Sequence, residues 1–414
     1  MLTLIVNKLH CSLIDSTVCL VATVNQKADL FSQRYILVAV AGQTPAIVTE
    51  TLWALEQQCG VRVDEIRVIT TAQGAQSLIR ELLGSNGAFA EYCTHYQVPA
   101  GRIAFSQHHI YVLKDAEGRE LQDIRNSEDN KVVANTIFSL IRSWCRRSDE
   151  VLHCSVAGGR KTMGNYLTMS LMLCGRMHDR LSHVLVSPEF ERGVHGFYYP
   201  PPRETFYARK SRVDNIPGEP LSSRDACVEL ADIPFPRLRE LLGGDLPLEK
   251  SLTEAITYSQ YILQYLQAPP PLILRLDRRS VILGQFAFVL PKQLIAVYAF
   301  FLLSFNGSRS RASMETLFCK RLLLAQLERL MDRMKHGEHE VYAWETMKDE
   351  ADFRSRMSPC ISKVNGALQS ALGKNRLSSH FSIATKGAYG VDVQDFEILL
   401  KEGEPLTEAH LQSP

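Results

Sequence analysis

The chain has 414 residues, 45% hydrophobic and 22% charged, with 46 Lys+Arg against 45 Asp+Glu and a net charge of +1. That length suits two or three domains of about 100–200 residues, each with its own core. The near-neutral balance argues against a polybasic DNA-coating protein and against an acidic disordered tail. Ten Cys, spread from Cys11 to Cys360, form no C-x-x-C pair and no Cys/His cluster at metal-ligand spacing. They read as thiols of a reducing compartment. The most apolar run, Leu290 to Phe305, carries Lys292 and is shorter than the ~20 residues of a bilayer-spanning helix. The composition therefore predicts a cytoplasmic, soluble chain with no membrane association.

Residues 1–33 differ in pattern from the rest of the chain: Lys8, His10 and Asp15 interrupt an apolar stretch that lacks the features of a signal peptide. They read as a poorly attached extension. From Tyr35 the pattern changes. Tyr35–Ala41 (YILVAVA) is a short continuous apolar run, the pattern of a strand buried on both faces. It ends in Gly42-Gln43-Thr44-Pro45, and the helical spacing of Ile47, Leu52 and Leu55 comes next. Thr44 suits an N-cap and Pro45 the first helical position. The pattern then predicts a strand over Glu65–Thr70, helices over Ala72–Leu83 and Glu91–Gln97, and an extended Ile103–Phe105. Ile110–Leu113 and Glu120–Leu121 read as a hairpin around Asp115–Gly118. Next come a long amphipathic helix over Glu128–Arg146, a strand over Val151–Val156, a helix over Thr162–Leu173 and a strand over His183–Ser187. Such alternation indicates a Rossmann-like, mostly parallel α/β sheet whose ligands bind at the carboxyl ends of the strands.

The polar, proline-rich stretch 201–220 reads as a linker. Beyond it the composition predicts a mainly α C-terminal domain over 221–414, with helices at Leu252–Leu266, Pro291–Phe305 and Met314–Met334. Its last segment reads as a helix over Ser358–Leu372, then strands around Phe381–Thr385 and Tyr389–Val393.

The strongest chemical signal is Ser155-Val156-Ala157-Gly158-Gly159-Arg160-Lys161-Thr162. A buried strand enters two glycines, and Arg160, Lys161 and Thr162 open a helix. Glycines let backbone amides approach a phosphate closely, the helix start adds positive potential, and the two cations supply charge. The spacing is not that of a Walker A loop, so ATP hydrolysis is not implied. A tight turn with two solvated cations has the same spacing. Gly42, Gln43 and Thr44 form the matching element after the first strand. Thr44 can donate to a phosphate oxygen or cap its helix. Asp123 and Arg125 can face a ligand or form a local ion pair at the start of the long helix. His153 and His183, within apolar strands, read as core residues.

Taken in order, GQTPAIVTETLWAL, ITTAQGA, DIRNSEDN, SVAGGRKTMGNYL and SHVLVSP resemble one branch of the CRISPR-associated Rossmann-fold (CARF) proteins, that of the ring nucleases that degrade cyclic tetra-adenylate. The resemblance covers about residues 35–199, so 34–200 reads as the CARF domain. It implies a homodimer that holds a cyclic oligoadenylate across its interface. It also implies metal-independent cleavage by a ribose 2′-hydroxyl, with no cofactor and no metal. The family's functional hydroxyl falls on Thr44 and its lysine on Lys161. The ring nucleases carry serine at the first position, and threonine adds a methyl that restricts χ1. Thr70, Thr71 and Gly74 lie after the second strand, where the resemblance implies adenine contacts, although hydroxyls there also suit helix caps. Ser187 ends the last strand of the set.

Domains behind CARF domains are often HEPN ribonucleases, which carry Arg and His with four to six residues between them. Arg329/His336 and Arg333/His339 match that loose spacing. So do Arg102/His108, Arg147/His153 and Arg176/His183, which makes the pattern undiscriminating. FSIATKGAYGVDV resembles the β-hairpin wing of winged-helix domains. Residues 306–391 carry 14 Lys+Arg against 9 Asp+Glu, which permits nucleic-acid contact. The reading is thus a CARF ring nuclease. Its rivals are a non-cleaving sensor with a winged-helix transcriptional output and a ligand-activated HEPN-like ribonuclease.

Overall fold

The structure of the protein is a computed structural model, whose described residues are 33–193, 196–208, 219–244, 251–306, 311–335, 342–386 and 388–412. The extension expected over 1–33 therefore lies outside the described residues except for Gln33, whose Nε2 donates to the Ser148 carbonyl at 2.7 Å. The chain divides into two compact units, the first ending at Arg237 and the second beginning at Leu238.

The first unit runs β1 (Arg34–Val40), α1 (Ala46–Trp53), β2 (Glu65–Thr70), α2 (Ala72–Glu81), α3 (Ala88–His95), β3 (Ile110–Val112), α4 (Ser127–Trp144), β4 (Glu150–Ser155), α5 (Lys161–Cys174), β5 (Arg180–Val186), α6 (Pro188–Gly193), β6 (Phe206–Tyr207), β7 (Leu221–Ser222) and β8 (Val228–Asp232). Six strands form one sheet in the order β3-β2-β1-β4-β5-β8, and only β8 runs antiparallel to its neighbour. This is the Rossmann-like α/β sheet expected from the strand–helix alternation. Ile36 to Val40 are all fully buried. A strand covered on both faces needs such an uninterrupted apolar run. Ile103–Phe105, predicted as extended, contributes a single parallel bridge from Ala104 to Glu65.

At the amino-terminal edge a charged network crosses the sheet. Arg67 on β2 reaches past β1 to Glu150 on β4 with two hydrogen bonds of 2.8 and 2.7 Å, and donates to Glu65 at 2.6 Å. Arg34 closes the network on Glu65 at 2.5 Å. The Arg67 guanidinium lies 5.1 Å from the centre of the Trp144 ring. Burial alone would raise the carboxyls of Glu65 and Glu150, but the hydrogen bonds from Arg67 outweigh it and hold both below their usual range. Both therefore stay ionised at neutral pH.

The first unit reaches further than the predicted boundaries of 34–200 and 201–220. Val228–Asp232 pairs with β5, and Phe206–Tyr207 pairs with Leu221–Ser222 across the stretch read as linker. Residues 209–218 of that linker lie outside the described residues. Arg237 then donates to the carbonyls of Arg176 and Asp179 at 3.0 and 2.8 Å, tying the end of the segment to the first unit. The edge strand VELAD lacks a continuous apolar run, which is why the sequence pattern does not announce it.

The second unit contains α7 (Leu252–Gln267), β9 (Leu272–Arg275), β10 (Ser280–Leu283), β11 (Phe286–Val289), α8 (Lys292–Ser304), α9 (Met314–Cys319), α10 (Leu322–Arg333), α11 (Glu350–Leu372), α12 (Arg376–Phe381), β12 (Phe396–Lys401), β13 (Glu404–Pro405) and α13 (Glu408–Gln412). It is helical, as expected, but it also holds a five-stranded sheet in the order β11-β10-β9-β12-β13. Its four-residue strands are too short to give a clear alternating signal. The helix predicted over Met314–Met334 breaks at Lys320 and Arg321. The one predicted from Ser358 starts eight residues earlier, capped by the Asp349 side chain, and carries Pro359 in its interior. The strands expected around Phe381–Thr385 and Tyr389–Val393 reduce to single bridges, Ala384 to Gly390, Ala312 to Tyr389 and Asn306 to Val391. Gly387, between them, lies outside the described residues.

Replacing Arg67 with alanine should cost about 3–5 kcal/mol, because it removes the buried cation shared by two buried carboxylates and leaves them only the more exposed Arg34 and Arg147. Urea unfolding of the variant checks this, and a loss below about 1 kcal/mol would mean that the network does not hold the sheet together.

Candidate functional site

The carboxyl ends of β1 and β4 are adjacent in the sheet although β2 and β3 lie between them in the chain. At this point an open α/β sheet reverses its winding and leaves a crevice. The turns after the two strands meet there. A Cβ on Gly42 would lie 3.3 Å from the Gly159 Cα, and one on Gly158 would lie 2.9 Å from the Val40 carbonyl oxygen. Gly159 has φ +77°, the left-handed region that an L side chain rarely adopts. The turn after β2 packs on the same point. Thr70 is fully buried and donates to the Ala41 carbonyl at 2.8 Å. A Cβ on Gly74 would meet the Thr70 Oγ1 at 2.0 Å and the Gly42 carbonyl oxygen at 2.9 Å. Thr71 caps α2 by accepting from the Gly74 amide at 3.4 Å. Both threonine hydroxyls therefore do the structural work that the sequence also allowed.

Two hollows open beside the glycine contact. The smaller, about 260 Å³, is lined by Gly42, Gln43, Thr71, Gln73, Asp123, Gly159, Arg160 and Met163. It brings together expected residues from four separate segments. Arg160 reaches Asp123 with two hydrogen bonds, its Nε at 3.0 Å, and this contact holds the Asp123 carboxyl below its usual range. The ion pair foreseen for Asp123 is thus made with Arg160, not with Arg125. Gln43 bonds Gln73 at 2.9 Å across the mouth. The amides of Gly158, Gly159 and Arg160 have no acceptor among the described residues.

The larger hollow, about 700 Å³, is lined on one side by Gly42, Gln43, Thr44, Gly158 and Gly159, and on the other by Glu50, Glu81, Phe190, Glu191, Phe197 and Tyr198. Thr44 is exposed and its hydroxyl bonds no described residue. The cap position of α1 belongs to Pro45, which makes no side-chain cap, so the capping role expected of Thr44 is not realised. Lys161 stands at the first position of α5, exposed, and lines neither hollow. Arg125 is also exposed and Thr162 half-buried, and neither reaches a hollow. The Ser187 hydroxyl accepts from the Cys227 amide at 3.2 Å and takes no part in either.

Of the two histidines expected in the core, His153 is buried and His183 is half-buried. His153 contacts Ser182 Oγ at 2.7 Å and Tyr35 Oη at 2.9 Å, and burial, with Arg180 nearby, depresses it to about 4. The His183 Nδ1 lies 2.6 Å from the Val184 carbonyl oxygen.

Glu50 is the residue that motif reading missed. It is 6% exposed and bonds no described residue. Burial, reinforced by the charge of Glu191, pushes its carboxyl up to about 8. The only hint in the sequence is a carboxylate inside the apolar helix AIVTETLW. Among the described residues no three His, Cys, Asp or Glu side chains gather as a metal set. No described helix is long and apolar enough to cross a membrane.

The family described as CRISPR-associated protein NE0113 matches residues 44–264, which is more than half of the 414 residues. The chain belongs to that family. The NE0113 segment begins at Thr44, includes the Gly158–Lys161 turn and α5, and ends within α7. A comparison with curated proteins finds no match.

The neutral Glu50 has a stability signature. Below its unfolded-state value of about 4.5 the carboxyl is protonated in both states. Between there and about 8 only the unfolded chain has released the proton, so rising pH favours unfolding until both states are ionised. Glu50→Gln removes this dependence. Its melting temperature should therefore gain on wild type as pH rises through this window. Equal differences at both ends, read by thermal scans, would mean that the carboxyl is ionised in the folded protein.

Proposed function

We propose that this CRISPR-associated protein is a CARF-type ring nuclease that binds a cyclic oligoadenylate, cyclic tetra-adenylate in particular, and opens it without a metal. The observation that carries this reading is the meeting of two glycine turns at adjacent parallel strand ends. There, three unpartnered amides and the start of α5 create a site for anionic oxygens. Arg160 and Lys161 add charge on the open side, and Thr44 supplies a hydroxyl that no protein group occupies. Thr44 and Lys161 are both exposed, as residues at a two-fold interface between protomers would be before assembly. A homodimer holding the ring across that face is part of the proposal, as are a cytoplasmic site of action and a role in limiting antiviral signalling.

In this scheme a ribose 2′-hydroxyl attacks the adjacent 3′ phosphate. A new oxygen–phosphorus bond forms, the bond to the 5′ oxygen breaks, and the products carry a 2′,3′-cyclic phosphate and a 5′-hydroxyl. The proton lost by the nucleophile is balanced by the one gained by the leaving oxygen. Thr44 aligns the nucleophile, while Lys161 and the amides of the glycine turn stabilise charge on the phosphoryl oxygens.

A second reading, a sensor that binds without cleaving, draws support from Lys161, which lines neither hollow. Its output would pass to the second unit, where the Ala384–Gly390 bridge comes after α11 and α12 in the manner of a small wing and nucleic acid is the candidate partner. The ribonuclease reading has less support. Arg329 is ion-paired with Glu345 at 2.5 Å, Arg333 donates to the His410 carbonyl, and His336 and His339 lie outside the described residues. Arg102, Arg147 and Arg176 are likewise engaged, by Glu56, Glu150 and Asp179.

Incubation of the purified protein with cyclic tetra-adenylate in EDTA, with separation of linear products, tests the reading. Lys161→Ala should lose about 10²–10³ in rate while remaining folded. Thr44→Ser should cleave as fast as wild type or faster. Thr44→Val should cleave more slowly at nearly unchanged stability, because the hydroxyl caps nothing. Tight binding with an intact ring after hours would assign the protein to the sensor class.

A further inference from the structure

We propose that Glu50 is the specificity residue for adenine, reading one base of the bound ring in the larger hollow through its carboxyl group. The inference rests on the proposed function, that the ligand is a cyclic oligoadenylate, and it adds the residue and the chemistry by which the base is chosen.

The acidic and aromatic part of the hollow is suited to a base and not to a phosphate. Glu50 from α1, Glu81 from α2 and Glu191 from α6 all line it, and no Lys, Arg or His does so among the described residues. The three carboxyls would repel an anion, whereas the phosphates are accommodated where the hollow meets Gly158 and Gly159, at the turn amides. Phe190, Phe197 and Tyr198 offer apolar and aromatic surface. A volume of about 700 Å³ lies within the usual range for small-molecule sites.

Glu50 is largely buried on this wall and has no donor, cation or hydroxyl bonded to it among the described residues. The other acidic groups facing the hollow oppose its ionisation. Glu81 is itself engaged, accepting from the Tyr198 hydroxyl at 3.0 Å and from Arg80 at 2.6 Å. A neutral carboxyl presents one O–H donor beside one carbonyl acceptor. Adenine presents the complementary pair on one edge, the N7 acceptor beside the N6 amino donor. Guanine presents two acceptors there, N7 and O6, so the Glu50 carbonyl would face O6 without a hydrogen between them. An ionised Glu50 would accept from N6 and repel N7. Affinity for adenine is therefore highest in the protonated form, and it falls as the group ionises.

Equilibrium binding of cyclic tetra-adenylate and cyclic tetra-guanylate, in EDTA at about pH 6.5 and about pH 9, tests this on the full chain. Wild type should bind the adenine ring about 10-fold more weakly at the higher pH. Glu50→Gln keeps a donor and an acceptor side by side, so it should bind within about 3-fold of wild type at the lower pH and show no pH dependence. Glu50→Ala should lose about 10-fold for the adenine ring and narrow its preference over the guanine ring. Tight adenine-ring binding that is equally pH-independent in wild type and Glu50→Gln would overturn the assignment of Glu50 and leave the ring-nuclease reading intact. Absence of any binding by folded wild type at the lower pH would overturn that reading, and this proposal with it.

Discussion

No side chain fits between the turns that succeed β1 and β4. Gly42 and Gly159 approach so closely that a single added carbon would press on the opposing backbone, and Gly158 and Gly74 are held just as tightly against β1 and Thr70. The rest of the site depends on this contact. It forces the two turns to expose their amides instead of their side chains, and it brings the start of α5 to the middle of the sheet's carboxyl edge. The Thr70 hydroxyl, bonded to Ala41, ties the turn after β2 into the same cluster. Three loops from distant parts of the chain are thereby held in one geometry, as the proposed cyclic oligoadenylate site requires.

The two edges of the sheet treat charge in opposite ways. At the amino edge Arg67, Glu65, Glu150 and Arg34 satisfy one another, and the network holds β2 and β4 on either side of β1. At the carboxyl edge polar groups are left unsatisfied: the glycine-turn amides, the Thr44 hydroxyl and the Glu50 carboxyl. Of these residues only Glu50 is buried, while Thr44, Gly159 and Arg160 are exposed, so the amino edge is closed on itself and the carboxyl edge keeps polar groups open to solvent. Arg160 stands between the two regimes, since its pairing with Asp123 at the surface is a contact that a phosphate can replace at little cost.

The second unit is built on different principles. α8 is buried along almost its whole length, and the sheet of this unit is assembled from short strands of two separated stretches of the chain. Lys292 on that helix is held by Asp332 at 2.9 Å, and Trp344 donates to the buried Glu328 at 3.0 Å. These charged and aromatic groups are committed to internal pairs, in contrast to the open carboxyl edge of the first sheet.

The sequence by itself determined the alternation of strands and helices, the buried central strand and the two glycine turns. Each of these is a local property: a continuous apolar run, a 3.6-residue period, or a position where only glycine fits. It also carried the family resemblance, which rests on the order of those same motifs. Tertiary structure decided which hydroxyls point where. Thr70 and Thr71 are adjacent to the turn in sequence, but strand pleating and helix capping direct them into the fold, whereas Thr44 remains free. Only the fold could pair Asp123 with Arg160 across 37 residues, recruit Val228–Asp232 as an antiparallel edge, or bury Glu50 in an acidic hollow that no described cation lines. A carboxylate in an apolar helix has no fate of its own in one dimension. Whether it is ionised in water or neutral against a ligand depends on what packs against that face, and contacts between distant segments are set by the assembled sheet.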